Sequence, residues 1–115
     1  MAYKVAVASS DGKVINQHFG RATKFLIFEV NDSKYKFVEQ RDSAPFCNNG
    51  EHDDSKLLSS VEALADCRAV LVAQIGQGAV VALNEKDIDA FNIHDLIEEA
   101  LENLVQYYSD KKEQQ

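Results

Sequence analysis

Two short stretches leave this chain few choices of fold. Residues 24–30 read Lys-Phe-Leu-Ile-Phe-Glu-Val, and residues 69–75 read Ala-Val-Leu-Val-Ala-Gln-Ile. Runs this apolar suit strands covered on both faces, as in a sheet held between helices. Residues 3–9 alternate and predict another strand. Asn31-Asp32-Ser33-Lys34 is a turn signal, and residues 35–41 alternate again, so 24–41 reads as a hairpin. Residues 42–53 read as a long loop holding the only proline, Pro45. Asp53 or Asp54 can cap a helix over 55–66, with Leu57, Leu58, Val61, Leu64 and Ala65 on its apolar face. Gly76-Gln77-Gly78 opens a short helix through about Asn84, and 87–91 predicts a last strand. Asn92 can cap a final helix with Leu96, Ile97, Ala100, Leu101, Leu104, Val105 and Tyr108 on its apolar face. An antiparallel start followed by strand–helix–strand units implies an α/β fold, a five-stranded mixed sheet flanked by helices. Residues 1–108 read as a single domain, and the polar tail 109–115 is expected to fray.

The chain has 115 residues, of which 45% are hydrophobic, enough for a single core. It has no apolar run long enough to predict a membrane span. Its start lacks the pattern of a signal peptide, so a cytoplasmic address is expected. The net charge of −7 argues against a nucleic-acid partner, which calls for a basic face. Two cysteines, Cys47 and Cys67, are too few for a disulfide framework, a four-thiolate zinc site or a four-cysteine iron–sulfur site. Any metal centre here needs histidine, outside ligands or a cluster assembled beforehand.

The first candidate is His18, in the loop 10–22 between two strands. It is bracketed by Phe19 and Gly20. A histidine there either bonds to nearby backbone or stands free as a metal ligand. Gly20 lets the backbone pass close to a bulky ligand. Arg21 and Lys24 give the loop a locally positive field in an acidic chain, suited to an anion, unless they are ordinary surface charges. The second candidate is Cys47-Asn-Asn-Gly-Glu-His52-Asp53-Asp54. Its thiolate and imidazole can reach one metal from a loop, with aspartate oxygens beside them. Cys67, between a helix end and a buried strand, is expected in the core. His94 is expected on the surface or as a cap. Gly76-Gln77-Gly78 resembles part of a phosphate-binding turn, but Val81 stands where the dinucleotide fingerprint needs a third glycine. A tight turn and close packing explain those glycines better, with a weak anion site as the alternative.

Catalytic patterns fit poorly. The first strand holds no carboxylate for a two-metal hydrolase. There is no Gly-x-Ser-x-Gly elbow. A Cys47–His52 dyad has no orienting third group in view.

The run Gly12 … His18-Phe19-Gly20-x-Ala22-x-x-Phe25 resembles the signature of the dinitrogenase iron–molybdenum cofactor biosynthesis proteins, the group of NifX, NafY and the tail domain of NifB. The segments Cys47 … Gly50-Glu-His52-Asp53-Asp54-x-Lys56-Leu57 and Cys67-x-Ala69-Val70-Leu71 … Ile75-Gly76-x-Gly78-Ala79 are similar to its later blocks. The likeness covers residues 3 to about 105. Many relatives have a glycine before the last strand, where this chain has Lys86-Asp87. The resemblance implies a ribonuclease H-like fold without hydrolase activity. It implies transient binding of an iron–sulfur cluster or an iron–molybdenum cofactor precursor, as cargo passed between metallocluster assembly proteins acting as donor and acceptor, in nitrogen fixation or a related process. His18 matches the family histidine thought to contact the cofactor, and Cys47 falls where relatives often place a cysteine. The expected cofactor contacts are therefore His18, Phe19, Gly20, Arg21, Lys24, Cys47 and His52, with His18 and Cys47 on the metal. No enzymatic activity is expected. The alternative is a regulatory or protein-interaction module that binds no metal.

Overall fold

The computed structural model describes residues 2–32, 34–42, 47–48, 51–52 and 54–113; at 47–56 and 111–113 the description is of backbone alone. In chain order the elements are β1 (Ala2–Val7), a 3-10 turn (Phe19–Arg21), β2 (Lys24–Asn31), β3 (Lys34–Asp42), β4 (Cys47–Asn48), β5 (Glu51–His52), α1 (Asp54–Ala63), β6 (Cys67–Val72), α2 (Gln77–Glu85), β7 (Asp89–Asn92) and α3 (Ile97–Glu113). Five strands form one mixed sheet in the order β3-β2-β1-β6-β7. β1 pairs antiparallel with β2 and parallel with β6, and β6 pairs parallel with β7. The expected α/β architecture is therefore present. No helix among the described residues is long and apolar enough to cross a membrane.

Alternation in β1 divides the core in two. Ala6 and Ala8 join Phe19, Phe25, Ile27 and the inner faces of α1 and α2. Val5 and Val7 join Ile15, Leu26, Leu71 and the inner face of α3. Successive strand residues point to opposite faces, so each face carries its own helices. This is why 24–30 and 69–75 hold so few polar side chains.

Several boundaries differ from expectation. β6 runs Cys67–Val72 rather than 69–75, because the chain leaves the sheet at Ala73 to run beside the segment after β1. Asn92 closes β7 rather than capping α3, which begins at Ile97; between them the Asp95 carboxylate accepts the Leu96 N–H at 2.7 Å. α3 continues to Glu113, past the expected start of fraying at Ser109. Leu58 and Ala65 are exposed, and so is Leu96, while Val61 and Leu64 are buried as expected. The Asp53 cap lies outside the described residues. Within 42–53, a second, two-stranded sheet pairs β4 with β5 where only a loop was expected. The Gly76 and Gly78 positions are not tightly packed: a Cβ at either would meet nothing within 4 Å, and neither has a positive φ. Gly76 instead serves as the N-cap residue of α2.

One ionic cluster ties the edge strand β3 to the α1–β6 turn. The Arg41 guanidinium donates to both Asp66 carboxylate oxygens, at 2.7 and 2.8 Å, and to the Ala63 carbonyl at 2.8 Å. Lys4 adds a contact to Asp66 at 3.2 Å. The Arg41 hydrogen bonds hold the Asp66 carboxyl well below the usual carboxylate range. Beside this cluster, burial pushes the Cys67 thiol up to about 12. Cys67 is thus a core residue, as expected.

Two predictions follow from these contacts. A carboxyl with a depressed native pKa stabilises the fold fully above its unfolded value of about 3.9 and loses that contribution as pH falls through the native value. The Asp66 side chain is 47% exposed, so screening leaves about 1 kcal/mol. Asp66→Ala is expected to lower stability by that amount at pH 7, with the deficit vanishing in acid below the native pKa; denaturant titrations across pH check this. Separately, Asp87 has φ 61° in the turn that ends α2, where its N–H donates to the Asn84 carbonyl. The left-handed region accepts Asp but resists β-branched residues. Asp87→Val is expected to cost about 1–2 kcal/mol, while Asp87→Gly keeps parental stability, read as thermal midpoints.

Candidate functional site

The segment after β1 is a pinned arm rather than a free loop. Buried Ser9 starts it: its hydroxyl oxygen accepts the Gly12 N–H at 2.9 Å. Gly12 has φ 77°, a left-handed bend that favours glycine. The Asp11 carboxylate accepts the Lys13 and Val14 N–H groups at 2.9 and 3.1 Å. Those two backbone bonds hold its carboxyl below the ordinary range. The Asn16 side chain exchanges hydrogen bonds with Ser10. The arm then bonds to the start of α3: Ile15 N–H donates to the Asp95 carbonyl, and Ile97 N–H to the Lys13 carbonyl, each at 2.9 Å.

His18 comes next, and backbone bonds fix its position on both sides. The Ala73 N–H donates to the Gln17 carbonyl at 3.0 Å, and the Phe19 N–H donates to the Gln74 carbonyl at 2.9 Å. His18 and Gln74 thus form a parallel bridge just past the end of β6. The His18 carbonyl accepts the Arg21 N–H at 3.1 Å and closes the 3-10 turn. Its backbone is extended, with φ −77° and ψ 143°. The imidazole makes no side-chain cap bond to that turn and is exposed. Among the described residues no hydrogen bond occupies either ring nitrogen. An exposed, unoccupied imidazole on an immobilised backbone can accept a metal at little ordering cost.

Phe19 was expected among the cofactor contacts, but only 1% of it is accessible. Its ring packs on Phe25 at 5.6 Å between centroids. It anchors the turn in the α1–α2 core, and so leaves little surface for cargo. Gly20 is half-buried inside the turn, Arg21 is exposed and Lys24 is half-buried at the start of β2. Neither cation has an ion-pair partner among the described residues, so both leave positive charge near His18.

Cys47 and His52 are directly opposite in the β4–β5 pairing. β4 also lies beside the 3-10 turn, with Cα atoms within 8 Å. The backbones of all three candidate ligand positions are therefore gathered at one end of the sheet. The side chains of Cys47 and His52 lie outside the described residues, as do those of Asp53 and Asp54. Among the described residues no three His, Cys, Asp or Glu gather as a metal-holding set. His94 is exposed in the segment before α3, as expected of a surface residue. Sequence reasoning missed the clamp from Ala73 and Gln74, since main-chain bonds carry no residue signature. It also missed the small hairpin, although Asn-Gly at positions 49–50 is a known hairpin signal.

Comparison with known proteins identifies the family. Residues 1–107 match the family model described as dinitrogenase iron-molybdenum cofactor. The FeMo cofactor biosynthesis protein NifB of Frankia alni is 41% identical over 103 residues, which are 87% of this chain and 20% of that protein. NifB of Sinorhizobium fredii is 37% identical over 103 residues, 88% of this chain and 21% of that protein. The chain thus spans about a fifth of the length of these curated relatives. Among solved structures, that of PH0822 superposes with a TM-score of 0.67 at 24% identity, covering 90% of this chain and 88% of the other, a likeness of fold. With the match extending over residues 1–107, the chain belongs to the dinitrogenase iron-molybdenum cofactor family.

Proposed function

We propose that this chain binds and carries an iron–sulfur cluster or iron–molybdenum cofactor precursor during metallocluster assembly, and catalyses no reaction of its own. The carrying observation is the exposed His18 imidazole, held on a doubly clamped backbone and left without a hydrogen-bond partner among the described residues. Imidazole is a good ligand for iron. A single firm protein ligand, assisted by Cys47 from the adjacent hairpin, suits binding that must be reversible. Arg21 and Lys24 offset the negative charge of a sulfide-rich cluster. Family membership and the NifB relatives support the same cargo class.

In this reading the cargo arrives assembled and leaves intact. His18 grips an exposed metal, Cys47 and His52 close over it, and Gly20 leaves the approach free of a side chain. Phe19 keeps the turn from yielding when the ligand is pulled away. Donor and acceptor are other assembly proteins, the compartment is the cytoplasm, and the fold is a ribonuclease H-like one adapted to binding.

The test is anaerobic incubation with extracted iron–molybdenum cofactor or its iron–sulfur precursor, followed by iron analysis and visible absorption. The parent protein is expected to become coloured and His18→Ala to retain little cluster. Because the ring is exposed, the variant's thermal midpoint should match the parent's to within about 0.5 kcal/mol of stability. Arg21→Glu with Lys24→Glu is expected to weaken uptake by about tenfold, with a reduced dependence on salt. Equal uptake by parent and His18→Ala rejects the reading. A parent that stays colourless favours the metal-free interaction module instead.

A further inference from the structure

The two edges of the main sheet are built differently. β7 has 4 residues, and shortness is one way an edge is kept from pairing with other strands. β3 has 9, and its outer side pairs with no strand among the described residues. Only Tyr35 and Arg41 of β3 are half-buried; its other residues are exposed. Phe37 is 56% exposed, and Val38 beside it 40%. The Phe37 ring meets Phe28 of β2 edge-on, with 5.8 Å between centroids, so one apolar surface runs from the sheet face to its margin. Charges and bulges also discourage edge pairing. β3 has both, but their positions favour one particular partner.

The charges of β3 are sorted along its length. Lys34 and Lys36 lie in the first half, Glu39 and Asp42 in the second, and the Arg41 charge is met by Asp66. Such a strand complements a copy of itself running the other way. The bulge sits at the centre: Phe28 stands opposite Phe37 and Ile27 opposite Glu39, which leaves Val38 as the extra residue. It also sets the faces. Phe37 lies with Phe28 on the α3 side, and Glu39 with Ile27 on the α1–α2 side. Lys36 is on the α1–α2 side too, opposite Glu29 and 3.8 Å from its carboxylate. Residues opposite one another in a sheet share a face, so a copy must match faces as well as charges. With a two-fold axis between Phe37 and Val38 it matches both. Lys36 then stands across from Glu39 twice, Phe37 across from Val38, and Tyr35 across from Gln40. Lys34 comes opposite Arg41, whose charge Asp66 already offsets.

We propose that β3 is the surface through which two copies of this chain associate, joining their sheets into one through an antiparallel β3–β3 pair. The contact is isologous: the same strand serves both sides, and the bulge of each copy meets that of the other at the axis. The Phe37 and Val38 side chains form its apolar centre, and the two Lys36–Glu39 pairs fix its register. The inference stands independently of the carrier reading. The His18 arm follows β1, two strands in from this edge. Antiparallel pairing sends the arms of the two copies to opposite ends of the joined sheet.

The test is sedimentation equilibrium on the full chain. The parent is expected to pass from dimer to monomer on dilution below about 100 μM, as suits a small interface. Lys36→Glu and Glu39→Lys each set like charges opposite one another twice, and each is expected to weaken the dimer at least about tenfold. An equimolar mixture of the two variants regains both opposite-charge pairs in a heterodimer, and is expected to associate as tightly as the parent. Recovery in the mixture needs both variants folded, so misfolding cannot imitate it. Deuterium exchange at the β3 amides of the parent is expected to slow as its concentration rises. A parent that stays monomeric at about 1 mM overturns the proposal. So does a dimer that neither variant weakens, or a mixture that associates no more tightly than its components. If the parent is monomeric alone and its β3 amides slow only when another protein is added, the edge serves a different occupant and the proposal fails.

Discussion

The parallel pairing of β1 with β6 governs this molecule. Val5, Ala6 and Val7 lie opposite Ala69, Val70 and Leu71, so the two strands end together. Their continuations leave side by side, and main-chain bonds join Gln17 to Ala73 and Phe19 to Gln74. His18 takes its position from that join. A parallel pair needs a long crossover between its strands. Here the crossover carries the β2–β3 hairpin, the β4–β5 hairpin and α1, and so delivers Cys47 to the same end of the sheet. One strand pairing thus assembles the candidate ligand positions from segments far apart in sequence.

The arrangement separates rigidity from access. Phe19 is buried, Ala22 is buried and Ser9 and Asp11 tie the arm's bend through backbone N–H groups. The ordering of the His18 backbone is thereby completed during folding, not at the moment a ligand binds. The imidazole stays outside this packing. The remote Arg41–Asp66 cluster serves another end: it fastens β3, the edge strand of the sheet among the described residues, to the turn between α1 and β6.

Much of the fold could be read in advance, for identifiable reasons. The alternation of β1 and the apolar runs of β2 and β6 report burial on both faces, a property of every second residue. The glycine pair at 76 and 78 marked a helix start correctly, but not because of crowding; Gly76 has an ordinary extended backbone and both glycines look onto open space. The Leu58 side chain fitted the apolar stripe of α1 by spacing alone, yet it is exposed, since period and hydrophobicity do not tell which apolar residues a neighbour covers. Asn92 does not cap α3, because β7 runs through it and the helix begins only at Ile97; how far a short strand extends is not marked by residue type.

By itself the sequence determined the types of the main-sheet strands and of the three helices, the mixed sheet and the family, because those depend on local periodicity and on blocks of residues in order. It also singled out His18, through its neighbours Phe19 and Gly20. Only the tertiary structure decided that Phe19 is an anchor, that the loop after β1 is a pinned arm, and that the β4–β5 pair comes to rest beside it. Those outcomes depend on main-chain hydrogen bonds between distant segments. Every residue except proline offers the same N–H and C=O, so no letter of the sequence records which partner each one finds.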